Sequence, residues 1–154
     1  MNATVSLLNI FFILHMKEQL VTKKILNWYD FNKRSLPWRK NVSKQKKQYY
    51  TLVSEFMLQQ TQVVTVIPYF NKFIEKIPSL KSLAKISDKK LIKFWEGLGY
   101  YSRAKNLKKT AQLVIKNFKG NIPSNYDDLL SLPGIGNYTA SAILAIAFNK
   151  PYIP

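Results

Sequence analysis

Leu132-Pro133-Gly134-Ile135-Gly136-Asn137-Tyr138-Thr139-Ala140 is the stretch whose reading decides the fold of this chain. Two glycines, set between flanks of helical period, make a short hairpin that joins one helix to the next. Glycine at 134 and 136, on either side of Ile135, lets backbone N–H groups approach a ligand closely. The helix expected to open at Asn137, with Thr139 in its first turn, points its positive end at the same place, which suits a phosphate. Such a turn grips a DNA backbone without reading bases. A Gly-x-Gly alone would favour a plain tight interhelical turn. The preceding Leu-Pro, the following Tyr-Thr-Ala and the charge of the chain favour contact with DNA.

That charge is large. Among 154 residues, 24 are basic and eight acidic, a formal net charge of +16. It predicts attraction to a polyanion and binding that weakens steeply with salt. Lysine supplies 21 of the basic residues and arginine only three, Arg34, Arg39 and Arg103, a bias that compositional drift alone would also produce. Scarcity makes each arginine of interest, because bidentate contacts prefer its fork. The apolar fraction of 47% fits a folded domain, or one domain and part of another. No cysteine and a single histidine, His15, exclude disulfides, thiolate metal sites and a zinc constellation within these residues. The apolar run at residues 5–16 is short for a membrane span and lacks the basic start of a secretory signal. We read residues 1–16 as a leader outside the fold, with Met16 resembling a natural start and a helical extension or a weak anchor as the alternatives, and expect no membrane partner.

Outward from the hairpin the period is helical throughout, with neither strand alternation nor an internal repeat. Helices are expected at about 18–32, from Tyr49 onward, and at 63–76, 79–85, 88–95, 101–118, 124–131 and 137–148. The first ends before Ser35-Leu36-Pro37, since the residue before a proline leaves the α region. Residues 40–48 read as a solvated lysine-rich loop. Ser87 caps the helix at 88, and Gly97 and Gly99 interrupt the chain before Tyr100. The expected class is all-α, with a domain at 48–150 carrying the helix–hairpin–helix at 126–148, preceded by an N-terminal helix and the Leu36-Pro37-Trp38-Arg39 loop at 17–47.

Within Ser54-Glu55-Phe56-Met57-Leu58-Gln59-Gln60-Thr61 sits one carboxylate in an apolar, amide-rich helix. Leu52, Val53, Phe56 and Met57 make an apolar stripe, and at about 100° per residue Glu55, Leu58 and Gln59 fall on another face. Glu55 is therefore expected beside the core, where burial raises a carboxyl pKa and makes a proton donor. The plain alternative is a helix carboxylate paired with one of the many lysines.

Leu36-Pro37-Trp38-Arg39, Ser54-Glu55 followed by Met57-Leu58-Gln59-Gln60-Thr61, Trp95-Glu96-Gly97-Leu98-Gly99-Tyr100-Tyr101, and Leu132-Pro133-Gly134-Ile135-Gly136 resemble, in order and spacing, the motifs of MutY-type adenine DNA glycosylases. These belong to the helix–hairpin–helix DNA glycosylase superfamily, with an endonuclease III-like fold. The resemblance covers about residues 18–153. It implies a six-helix barrel module plus an N-terminal helix of the iron–sulfur domain. It also implies base-excision repair, the hydrolysis of the N-glycosidic bond of adenine opposite 8-oxoguanine or guanine in duplex DNA, by a monomer in the bacterial cytoplasm at the nucleoid. The base must leave the stack to be reached, at a cost of about a few kcal/mol. By likeness, Glu55 is the general acid and base. Trp38, Arg39 and the nearby Arg34 belong to the adenine pocket and its approach, a core anchor being the alternative for Trp38, and Leu58 lines that pocket. Gln60 and Tyr100 match residues that enter the duplex beside 8-oxoguanine. Gly134, Ile135, Gly136 and Thr139 belong to the backbone-gripping hairpin. Tyr138 matches a substrate-binding tyrosine near the catalytic centre and stands where endonuclease III-like relatives carry their Schiff-base lysine, which argues for a monofunctional enzyme.

The resemblance also implies groups that these residues do not supply. They are an Asp in an Asp-Gly-Asn context, four cysteines holding a 4Fe–4S cluster in full-length members, and a C-terminal domain that recognises 8-oxoguanine. We therefore expect a fragment, marginally folded, with weak salt-sensitive DNA binding and negligible excision by itself. An endonuclease III-like pyrimidine glycosylase/lyase and a non-catalytic helix–hairpin–helix binding remnant remain the alternatives.

Overall fold

A computed structural model describes the backbone from residue 3 to 154 and side chains from His15 onward. The described residues hold eight α-helices and one 3₁₀ turn, with no strand. The chain divides into two units, Met1–Ser35 and Leu36–Pro154.

The first unit is one helix, α1, Ala3–Asn32. It starts well before the expected position near 18, because neither glycine nor proline interrupts residues 1–36. The side chains of residues 1–14, most of the expected leader, lie outside the described residues. From His15 on, α1 is exposed along its length. It ends ahead of Pro37, as the proline rule requires.

The second unit opens with the 3₁₀ turn Pro37–Arg39. There follow α2 (Lys44–Leu58), α3 (Val63–Lys76), α4 (Leu80–Lys85), α5 (Asp88–Trp95), α6 (Ser102–Asn117), α7 (Tyr126–Leu130) and α8 (Asn137–Phe148). Helix α2 begins earlier than the apolar period indicated. Ser43 stands at its N-cap position, and the Lys-Gln stretch that read as a loop consists of good helix formers. Helix α3 keeps its expected limits despite Pro68, which lies on the exposed side of the helix. Ser87 caps α5 by accepting from the Lys90 N–H at 3.4 Å.

Packing makes α2 the centre. It contacts α3, α6, α8 and the 3₁₀ turn, and α5 bridges α3 to α6, so that α2, α3, α5 and α6 close a ring. Helix α4 lies on α6 and α7 on α8. Leu52, Val53, Phe56 and Met57 of α2 are fully buried with Phe73 of α3 and Trp95 of α5. Phe73 and Trp95 meet edge to face at 6.1 Å, the favoured aromatic geometry. The burial of α2 extends beyond its apolar stripe. Every residue from Thr51 to Met57 is buried, Glu55 included, because helices surround it where a surface helix would have solvent on one side.

Candidate active site

Glu55 sits in the last turn of α2 and is 7% exposed, the only buried acid among the described residues. None of the ion pairs among those residues involves it. Burial pushes its carboxyl up from 4.5 to about 7, against a smaller opposing pull from the Arg39 guanidinium. Desolvation disfavours the charged form, and no neighbour compensates fully. The outcome is an acid half protonated near neutrality.

The next turn of the same helix face shows what Glu55 lies beside. Gln59 follows Glu55 by four residues and so shares its side of α2. Its amide donates to the Gly134 carbonyl at 3.0 Å and to the Thr139 hydroxyl at 3.4 Å. One side chain therefore ties the end of the acid-bearing helix to both arms of the glycine hairpin. Thr110 of α6 donates to the Pro133 carbonyl at 2.9 Å and holds the hairpin from below.

Gly134 is required twice over. Its φ is +81°, and a Cβ there would stand 2.7 Å from Phe56 Cε1 and 3.0 Å from Asn106 Cβ. The left-handed backbone and the close approach to α2 each exclude a side chain. Gly136 is different, since a Cβ there would meet nothing within 4 Å. It occupies the N-cap of α8 without a side-chain cap. The first intrahelical bond runs from the Ala140 N–H to the Gly136 carbonyl at 2.9 Å, leaving the N–H groups of Asn137, Tyr138 and Thr139 without helical partners. An uncapped, open helix start is an anion site in waiting.

The other residues expected at the site divide by exposure. Tyr138 is 66% exposed at that helix start, Tyr100 is 62% exposed, and Gln60 is exposed. Leu58 is half-buried at the end of α2, and Arg39 is exposed. Trp38 is a core residue at 3% exposure, edge-to-face with Phe70 at 5.3 Å, so the anchor alternative describes its packing and Arg39 is what its turn presents outward. Ile135 is buried, and its N–H donates to the Leu132 carbonyl at 3.2 Å. Thr139 is buried with its hydroxyl engaged by Gln59. What these two hold is the shape of the hairpin, and only the backbone N–H of Thr139 is left for a ligand. Arg34 is exposed and belongs to the first unit.

Two contributors escaped the sequence reading. Helical period puts Gln59 on the Glu55 face, but its bonds to residues 75 and 80 positions away carry no local signal. Arg103 is 6% exposed and donates to carbonyls at the end of α2 and in the glycine turn after α5. Its one clue was being among three arginines beside 21 lysines. The 4Fe–4S cluster implied by resemblance needs thiolates, and this chain has no cysteine. Among the described residues no cluster of His, Asp and Glu offers a substitute. The residues present do not fit that group.

Comparison with known proteins agrees with this architecture. A thermostable thymine-DNA glycosylase structure superposes with a TM-score of 0.75 at 28% identity, over 89% of this chain and 62% of that one. A non-covalent endonuclease III–DNA complex, at 19% identity and TM-score 0.69, covers 86% of this chain and 61% of that one and shares the fold. The adenine DNA glycosylase of Buchnera aphidicola subsp. Baizongia pistaciae is 47% identical over 126 residues, 81% of this chain and 35% of the relative. The adenine DNA glycosylase of Homo sapiens is 44% identical over 131 residues, 82% of this chain and 24% of the relative. The chain thus spans about a third or less of the length of these relatives. The family described as HhH-GPD superfamily base excision DNA repair protein matches residues 53–154, and to that family this chain belongs.

Proposed function

We propose that these residues form the acid-bearing helix and backbone-gripping hairpin of a monomeric adenine DNA glycosylase acting on adenine opposite 8-oxoguanine or guanine in duplex DNA. The observation that carries this reading is Glu55, buried, free of ion pairs and raised to about 7, on the helix face that Gln59 ties to the hairpin. The net charge of +16 draws the duplex in. Gly136 and the open start of α8 take a backbone phosphate. The adenine then leaves the stack, and exposed Gln60 and Tyr100 fill the space it vacates.

The Glu55 carboxyl gives its proton to a ring nitrogen of adenine. The C1′–N9 bond breaks with its electron pair going to the base, leaving an oxocarbenium-like sugar. The resulting carboxylate accepts a proton from the water that adds to C1′, which restores the acid. Tyr138, exposed at the hairpin, has no amine for a Schiff base, so the product is an abasic site with the strand intact. No second buried carboxylate among the described residues steadies the sugar cation, which is why negligible release is expected of these residues by themselves.

The test joins residues 1–154 to the part of the Buchnera relative that follows its matched region. Adenine release is expected from duplexes with adenine opposite 8-oxoguanine or guanine, with no strand cleavage and no borohydride-trapped adduct. Release of an oxidised pyrimidine, or a trapped adduct, would overturn the reading in favour of a lyase.

A further inference from the structure

Gln60 and Tyr100 share an uncommon backbone. Both have positive φ, +57° and +47°, although neither is glycine. Such residues are strained and persist only where their surroundings over-determine them. Here one side chain does so for both. Arg103 Nη1 shares its two N–H groups among the carbonyls of Met57 at 2.8 Å, Phe56 at 3.4 Å and Gln59, and the Thr61 hydroxyl at 3.0 Å. Its Nη2 donates to the carbonyls of Leu98 at 2.9 Å and Gly99 at 3.2 Å. The residue before Gln60 and the residue before Tyr100 are therefore held by the two nitrogens of a single guanidinium. Two hydrogen bonds and the guanidinium width bring those carbonyls to within about 8 Å of each other. Trp95 and Tyr100 flank the guanidinium, with ring centroids 5.7 Å and 5.4 Å from its carbon, and Trp95 Nε1 donates to the same Gly99 carbonyl at 3.2 Å.

We propose that Arg103 is a positioning residue that sets Gln60 and Tyr100 as a matched pair, so that both side chains enter a duplex in one movement. This rests on reading those two side chains as the ones that enter beside 8-oxoguanine. The positive charge at the end of α2 satisfies its orphan carbonyls and favours its negative pole. That would be a structural role alone if only one segment were held. Holding both joins α2 to the turn between α5 and α6, and it is the forked guanidinium that allows it. Lysine keeps the charge but concentrates its donors on one nitrogen, which reaches one segment or the other.

The test compares the full chain with Arg103→Lys. Without DNA, amide hydrogen exchange is expected to quicken at least tenfold at residues 60–61 and 99–100 together, with other parts of the core unchanged. With DNA, a duplex bearing 2-aminopurine beside 8-oxoguanine reports unstacking. The emission gain on binding is expected to fall at least threefold in Arg103→Lys, while affinity and its salt dependence stay within twofold. Added to Gln60→Ala with Tyr100→Ala, Arg103→Lys is expected to lower the emission no further, since it acts through those two residues. Exchange that changes at one segment only, or an emission loss that adds to that of the double alanine variant, overturns the pairing. An unmutated chain that gives no emission gain, with the exchange result as expected, removes the duplex-entry reading and overturns the proposal from that side.

Discussion

In the chimera that joins these residues to the following part of the Buchnera relative, Glu55→Gln is expected to slow single-turnover adenine release by about a thousandfold or more, with duplex binding retained. Positioned proton transfer contributes about 10²–10⁴-fold to a rate. Glutamine fills the same space at the end of α2 and keeps the Gln59 tether to the hairpin, but has no proton to give. The pH dependence carries the same signature. With Glu55 half protonated at about 7, release by the unmutated protein is expected to fall about tenfold per pH unit above neutrality, as the acid form empties. A loss of less than tenfold in Glu55→Gln, or a rate flat from pH 6 to 9, would show that another group delivers the proton.

The same substitution is expected to stabilise the fold at alkaline pH. The folded state raises the Glu55 carboxyl from 4.5 to about 7, so it binds that proton more tightly than the unfolded chain does. Below about pH 4.5 the group is protonated in both states and its burial is harmless. Between about pH 4.5 and 7 the unfolded chain is ionised while the folded group still holds its proton, so stability falls through that range and levels off above it, where the folded state buries the charge. At about 1.4 kcal/mol per pH unit the full difference is about 3 kcal/mol by pH 8. Neutral glutamine never incurs it. Thermal unfolding of Leu36–Pro154 is therefore expected to shift up by on the order of 10 °C in Glu55→Gln at pH 8 and hardly at all at pH 4. A variant of equal or lower stability at pH 8 would mean that Glu55 ionises without penalty. Losing reactivity while gaining stability is the usual mark of a residue held in an unfavourable state for its chemistry.

The strength of the sequence signals explains which features were legible. Helices α3, α5 and α8 kept their expected limits because serine, glycine and proline punctuate them: Ser87 before Asp88, Gly136 before Asn137, Pro78 after Lys76. The early start of α2 was missed because Lys44 to Gln48 has no apolar period to mark it. Periodicity placed Glu55 beside the core. It could not show that Thr51 to Met57 of α2 are buried on every side, since that depends on α3, α6 and α8 arriving from distant sequence. The hairpin glycines read as a close approach, and the structure separates them: Gly134 faces Phe56 and Asn106, whereas Gly136 faces open space. Side chains whose role is to bond distant backbone were the least visible. Gln59 and Arg103 act on residues 75 and 44 positions away, and their residue types alone mark neither.

The central claim is that Glu55 is an acid in waiting near neutrality, and its titration tests that most directly. Carbon-13 NMR of the labelled Glu55 side-chain carboxyl, followed from pH 3 to 9 in the folded chain and assigned by its loss in Glu55→Gln, is expected to give a midpoint at about 7. A midpoint at the ordinary 4.5 would contradict the account, because Glu55 would then be ionised at neutral pH with no proton to deliver to a base.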